Sequence, residues 1–219
     1  MEIDEIIRNV VMRVINDVEK DNRQRIIPAG QIPVGISNRH LHMKQEHINM
    51  LFGDGYQLTV LKDLSQPGQY AAKETVTIVG PLGIIQNVRI LGPARPDTQV
   101  ELSITDGYTL GITLPVRESG NIAGSPGLTI VGPKGIVRLE QGAICAARHI
   151  HANPAEAAKL GIKDKDIVSV KAEGERALIF NNVLVRVSDK YALDFHVDVD
   201  EANAAGLRMG DYVKLLKQS

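Results

Sequence analysis

The chain has 219 residues, with 25 basic and 26 acidic side chains for a formal net charge of -1, so charge offers no attraction to nucleic acid. No apolar run approaches the ~20 residues of a membrane-spanning helix, and the start, Met-Glu-Ile-Asp-Glu, lacks the basic region of a secretory signal. The single cysteine, Cys145, excludes an internal disulfide and fits a reducing cytosol. Set between Ile144 and Ala146, it reads as a small buried hydrophobe and not as a nucleophile. The length suits one large domain or two of roughly 100 residues.

In chain order, Ile3, Ile6, Ile7, Val10, Val11, Val14, Ile15 and Val18 recur at helical spacing, which predicts an amphipathic helix. The polar run Glu19-Lys20-Asp21-Asn22-Arg23-Gln24-Arg25 reads as a linker. Such a helix can dock on its own domain, pair within an oligomer or bind a partner protein. From Ile32 the pattern turns to β: Thr75–Val79, Val100–Ile104 and Ile167–Val170 are short apolar stretches closed by turn residues. Helices are few and brief. Pro154–Leu160 is predicted after an Asn153 cap, with proline at the first position, and Asp200–Gly206 is predicted to be another.

Five of the six histidines lie on three of the predicted strands. Arg39-His40-Leu41-His42 and Arg148-His149-Ile150-His151 each carry His-x-His, and His196 follows in Leu193-Asp194-Phe195-His196. Side chains two apart on a strand share a face, so each pair can present two imidazoles to one ion. Neutral imidazole ligates zinc, copper, nickel and non-haem iron, and with one cysteine the pattern points to a metal enzyme with open coordination positions and not to a closed cysteine-rich zinc site; buried, hydrogen-bonded core histidines are the other reading. Glu101 alternates with apolar Val100 and Leu102; beside a His-x-His pair it would complete a two-histidine, one-carboxylate set. Arg95, between Ala94 and Pro96, is predicted on an extended loop where its guanidinium suits a bidentate grip on phosphate.

The chain also repeats itself. Thr77-Ile78-Val79-Gly80-Pro81-Leu82-Gly83-Ile84 recurs as Thr129-Ile130-Val131-Gly132-Pro133-Lys134-Gly135-Ile136. Each histidine strand leads to a short helix, a turn and another strand, the first copy through a Gly-Asp-Gly turn at 53–55. Copies of one β-rich unit predict two small antiparallel barrels sharing a cleft with the histidines at their meeting. A duplicated binding module without catalysis stays open on these grounds.

Arg-His-x-His in two copies, Thr-Ile-Val-Gly-Pro-x-Gly-Ile, Asn-Val-Arg-Ile-Leu-Gly-Pro-Ala-Arg-Pro and Phe-His-Val-Asp-x-Asp-Glu-Ala-Asn-Ala-Ala-Gly closely resemble the phosphate propanoyltransferases, the phosphotransacylases of propanediol utilisation. The resemblance covers about residues 30–216. It implies a mainly β fold of two small barrels with short capping helices, discontinuous in sequence: residues 30–38 with 147–219 form one barrel. Residues 39–146 form the other, with a small insertion near 53–73, and residues 1–25 lie apart as the amphipathic helix and linker. Also implied are two zinc ions per chain, coenzyme A and inorganic phosphate. Residue by residue, His40, His42 and Glu101 fall on one zinc and His149, His151 and His196 on the second. Arg95 falls on the phosphate-binding arginine, and Ile36, Ser37, Asn38, Leu82, Arg89 and Asn203 fall where coenzyme A is contacted. The reaction implied is interconversion of propanoyl-coenzyme A and phosphate with propanoyl phosphate and coenzyme A, in 1,2-propanediol degradation. Acetyl-coenzyme A as main substrate and zinc-dependent thioester hydrolysis are the alternatives. A homo-oligomer is expected, in bacterial cytoplasm inside a protein-shelled microcompartment, with residues 1–20 as the contact to shell or cargo proteins.

Overall fold

Thr, Val and Ile alternate along most of the chain, and the strands they form bury every second side chain. Leu128 and Ile130 point inward while Thr129 and Val131 are half-exposed, and Val137 and Leu139 repeat the pattern on the next strand. The computed structural model describes residues 30–216. The predicted N-terminal amphipathic helix and linker lie outside the described residues.

One sheet closes on itself. Its strands are β1 (Gln31–Ser37), β11 (His149–Ala152), β12 (Ile167–Ala172), β13 (Leu178–Val187), β14 (Asp194–Asp198) and β15 (Tyr212–Leu216), in the barrel order β1-β14-β11-β13-β12-β15. The other is a curled half-barrel made from the intervening chain. It contains β2 (His40–His42), β3 (Val60–Asp63), β4 (Tyr70–Val79), β5 (Ile84–Gly92), β6 (Gln99–Glu101), β7 (Val116–Arg117), β8 (Leu128–Val131), β9 (Ile136–Leu139) and β10 (Ala143–Ala146). Each sheet encloses its own apolar core. Leu41, Ile78, Ile90, Val100 and Ile130 belong to the half-barrel core, and Ile32, Ile150, Val170, Val185 and Phe195 to that of the barrel.

The sheets are mixed, not antiparallel as the repeats suggested. β2 runs parallel to β5, β11 to β13 and β1 to β14. Parallel neighbours need a long crossover, and residues 43–83 supply one between β2 and β5.

Four short helices cap the described sheets: α1 (Gln45–Phe52), α2 (Ile104–Leu110), α3 (Pro154–Leu160) and α4 (Val199–Ala205). α3 matches its expected limits, with the Asn153 side chain accepting from Glu156 N and Glu156 answering on Asn153 N. α4 is displaced by one residue from Asp200–Gly206 and is capped by Asp198. The stretch Val100–Ile104 is strand only to Glu101. Ser103 then caps α2, a helix hidden in sequence by Gly107 and the β-branched Ile104, Thr105 and Thr109.

The repeated Gly-Pro-x-Gly turns have one job, carried out twice. Gly80 N donates to Gly83 O, and Leu82 N donates to Leu110 O at the end of α2; Gly132 N donates to Gly135 O, and Lys134 N donates to Leu51 O at the end of α1. The turns thereby satisfy helix carbonyls that would otherwise lack a partner. Such an approach requires glycine. A Cβ on Gly80 would lie 2.3 Å from Leu110 O, and one on Gly132 would lie 2.7 Å from Leu51 Cβ. Gly80→Ala and Gly132→Ala should each destabilise by about 1–3 kcal/mol through overpacking, read as a lower thermal midpoint. Unchanged midpoints in both variants would show that turn-on-helix docking contributes nothing to stability.

Candidate active site

The residue before each His-x-His anchors its strand. Arg39 Nη2 lies 2.9 Å from Asp106 Oδ1 in the first turn of α2, and Arg148 Nη1 lies 2.6 Å from Glu201 Oε1 in the first turn of α4. The register then sets the partners. On β2, His40 stands opposite Glu101 of β6 and His42 opposite Gln99. On β11, His149 stands opposite His196 of β14 and His151 opposite Asp194.

Two groups of three donors result: His40, His42 and Glu101, and His149, His151 and His196, each with its donor atoms within 4.8 Å of one another. The first histidine of each pair is oriented alike. His40 Nδ1 is 2.8 Å from Asn38 O and His149 Nδ1 is 2.8 Å from Ala147 O, so each ring donates from Nδ1 to a backbone carbonyl and turns Nε2 away from it. His40 Nε2 is 3.5 Å from Glu101 Oε2, and His42 Nε2 is 3.9 Å from Glu101 Oε1.

Burial is the largest influence on the titration of His42, His149 and His151. It pulls His42 down to about 3, reinforced by His40, and His149 to about 4, reinforced by His196. His151 falls to about 2, by burial and then His149. Burial pushes Glu101 up, but His40, His42 and the Ser119 hydroxyl outweigh it and hold the carboxyl at about 2. Neutral imidazoles beside an ionised carboxylate are the donors a divalent cation such as zinc takes. The second group fits an ion for a further reason. Both ring nitrogens of His151 and Nε2 of His196 are buried without a hydrogen-bond partner among the described residues, an arrangement that costs free energy unless something binds there.

A cleft joins the groups, lined by Ser37, Asn38, His40, Glu101, His149 and His196. Arg95 is on a loop, as its sequence context suggested, with its N donating to Met43 O and Nη2 donating to Gln69 Oε1 at 3.2 Å. Burial lowers its pKa, Glu101 opposes that and Arg186 adds to it, so the two guanidiniums and the carboxylate share one neighbourhood. Of the residues expected from sequence to contact coenzyme A, Ser37 and Asn38 line the cleft and Ile36 packs on the barrel core. Leu82 is 82% exposed on the β4–β5 turn, Asn203 is exposed on α4, and Arg89 Nη1 donates to Ala72 O and Lys73 O.

A family model described as phosphate propanoyltransferase matches residues 33–208. The chain is 58% identical over 187 residues to a phosphate propanoyltransferase of Thermotoga maritima, across 85% of this chain and 89% of that one. It is 49% identical to one from Lachnoclostridium phytofermentans, across 97% of both chains, and 48% identical to one from Listeria monocytogenes, across 92% and 94%. The chain belongs to the phosphate propanoyltransferase family. It is accordingly a phosphate acyltransferase.

Several site residues were not singled out by sequence. Gln99 and Ser119 both hydrogen-bond Glu101, and Asp194 faces His196. The signal for Gln99 and Asp194 was parity, since each lies two residues before a third donor. Arg186 lies opposite His151 and places its guanidinium 5.8 Å from the Tyr191 ring. Cys145 is buried, and its thiol, pushed up by burial and by Asp198, is unsuited to nucleophilic attack.

The protein as purified should hold about two divalent ions per chain, one per donor group. His149→Ala should empty one site and leave most of the other filled, measured by metal analysis. His47, on α1 with Nδ1 2.8 Å from Thr98 Oγ1, should be replaceable without change in metal content.

Proposed function

We propose that this phosphate acyltransferase interconverts propanoyl-coenzyme A and phosphate with propanoyl phosphate and coenzyme A. In this reading His40, His42 and Glu101 hold one zinc ion, and His149, His151 and His196 hold a second. The observation that carries the reading is the pair of donor groups opening onto one cleft. The names of the relatives supply the acyl group.

Acyl transfer to phosphate forms a C–O bond at the thioester carbonyl and breaks the C–S bond, releasing coenzyme A as thiolate. Bound zinc would supply Lewis acidity toward oxygen and stabilisation of thiolate sulfur. Arg95 orients the phosphate through its planar fork, and Arg186 adds positive charge against the repulsion between two anionic substrates. Ser37 and Asn38 line the cleft mouth where coenzyme A would enter; Ile36, Leu82, Arg89 and Asn203 are its further contacts. No side chain has to become acylated, because phosphate itself is the nucleophile.

We place the reaction in 1,2-propanediol degradation inside a bacterial microcompartment, with the apolar stripe Ile3–Val18 binding shell or cargo protein. The stripe's eight apolar side chains support this, since each contributes about 1.5–3 kcal/mol when fully buried.

Metal-loaded protein given propanoyl-coenzyme A should release free thiol only when phosphate is present, with acyl phosphate formed in equal amount. Thiol release without phosphate would instead identify a thioester hydrolase. Arg95→Lys should raise the phosphate KM or slow turnover by roughly ten- to a hundredfold, the worth of a charge-assisted bond of about 1.5–3 kcal/mol. Coenzyme A affinity should change little; equal loss toward both substrates would reassign Arg95 to structure. Deleting residues 1–20 should leave acyl transfer intact and change oligomeric state or partner binding. A joint fall in thermal midpoint and activity would assign the stripe to the catalytic unit.

A further inference from the structure

The two halves of the site match more deeply than their six donors. In the half-barrel, Glu101 stands opposite His40, and Gln99, two residues earlier, stands opposite His42. Gln99 Nε2 donates to Glu101 Oε1 at 2.5 Å, and Ser119 Oγ donates to the same oxygen at 2.7 Å. In the barrel, His196 stands opposite His149, and Asp194, two residues earlier, stands opposite His151. Asp194 Oδ2 is 3.3 Å from His196 Nε2 and accepts from Ser65 Oγ at 2.8 Å. Each half therefore has a third donor, a support two residues before it and a serine on the carboxylate. The charges are exchanged: a neutral amide supports a carboxylate donor in one half, and a carboxylate supports an imidazole donor in the other.

Asp194 is held with care for a residue outside the donor groups. It is 3% exposed, and its Oδ1 has no hydrogen-bond partner among the described residues. β1 passes beside it at Gly35, where a Cβ would come within 2.8 Å of Asp194 Oδ2. Gly35 itself is opposite His196 in the β1–β14 ladder. Ser65 reaches Asp194 from the segment between β3 and β4, and beside it Gln66 Nε2 donates to Ala192 O while Ala192 N donates to Gln66 Oε1. A buried carboxylate in such a place is costly unless positive charge lies next to it. Three imidazoles provide none of their own when neutral, whereas a cation among them would.

We propose that Asp194, held by Ser65 and given room by Gly35, supplies the negative charge of the His149–His151–His196 group, as Glu101 supplies that of the other. Asp194 Oδ2 lies 3.3 Å from Nε2 of His196, the nitrogen left for an ion, so it would act directly on a bound cation. This rests on the metal reading above. Loss of a carboxylate neighbour of a metal site weakens binding by roughly 10–100-fold.

The test titrates zinc into metal-stripped full-length protein against a competing chromophoric chelator. Asp194→Asn keeps the shape and the acceptor for Ser65 but removes the charge. It should weaken one of two sites roughly 10–100-fold, leave the other unchanged, and leave the melting temperature of the metal-free protein where it was. The weakened site should be the one lost in His196→Ala. Gly35→Ala, which crowds the carboxylate without altering it, should weaken the same site. Two sites of wild-type affinity in Asp194→Asn would overturn the role of Asp194 and leave the metal reading standing. Equal weakening of both sites, or a lower metal-free melting temperature, would overturn it in favour of a structural role. A wild-type protein that takes up no zinc at the His196 site would overturn both.

Discussion

Cross-strand register is the constraint on which both donor groups depend, because a strand alone can supply only two side chains to one point on its face. His40 and His42 acquire Glu101 because β6 runs antiparallel to β2 with that residue directly opposite. His149 and His151 acquire His196 in the same way from β14. A slip of one residue in either ladder would turn the third donor to the opposite face. What guards against a slip is burial: Val100 and Leu102 flank Glu101 in one core, and Phe195 and Val197 flank His196 in the other. Apolar packing on one face thus sets the chemistry of the other.

The ends of the strands are secured by charge. Arg39 and Arg148, each just before a histidine pair, reach acids in the first turns of α2 and α4, where negative charge also complements the helix dipole. Those helices start one turn after the third donors, so one ion pair ties the histidine strand, the third-donor strand and the helix together. Thr105 N of α2 donates to Asp200 Oδ2 of α4 at 2.9 Å, linking the two halves. The serine contact from residue 65 to Asp194 does so again from the other side.

Inside this frame the electrostatics favour a cation flanked by anion-binding groups. Burial keeps His42, His149 and His151 uncharged near neutral pH, and Glu101 stays ionised in spite of burial. Arg95 and Arg186 add positive charge nearby. Among the described residues, both ring nitrogens of His151 and Nε2 of His196 are buried without a hydrogen-bond partner, which suits a site completed by what it binds.

Sequence by itself marked the two histidine pairs as candidate donors, because parity along a strand and the repeated Arg-His-x-His flanks are local properties that need no fold to be read. It likewise marked the Gly-Pro-x-Gly turns, the Asn153 cap and the loop position of Arg95, each of which follows from backbone chemistry within a few residues. Tertiary structure alone decided which donors meet. Glu101 lies 59 residues beyond His42 in the chain, and nothing local says that β6 will lie against β2. The same holds for the mixed strand directions, for the closure of one sheet while the other remains a half-barrel, and for Gln99, Ser119, Ser65 and Asp194. Their importance arises from contacts across strands and between sheets, and pairing between distant segments is set by how two apolar cores close, not by the preferences of any one segment.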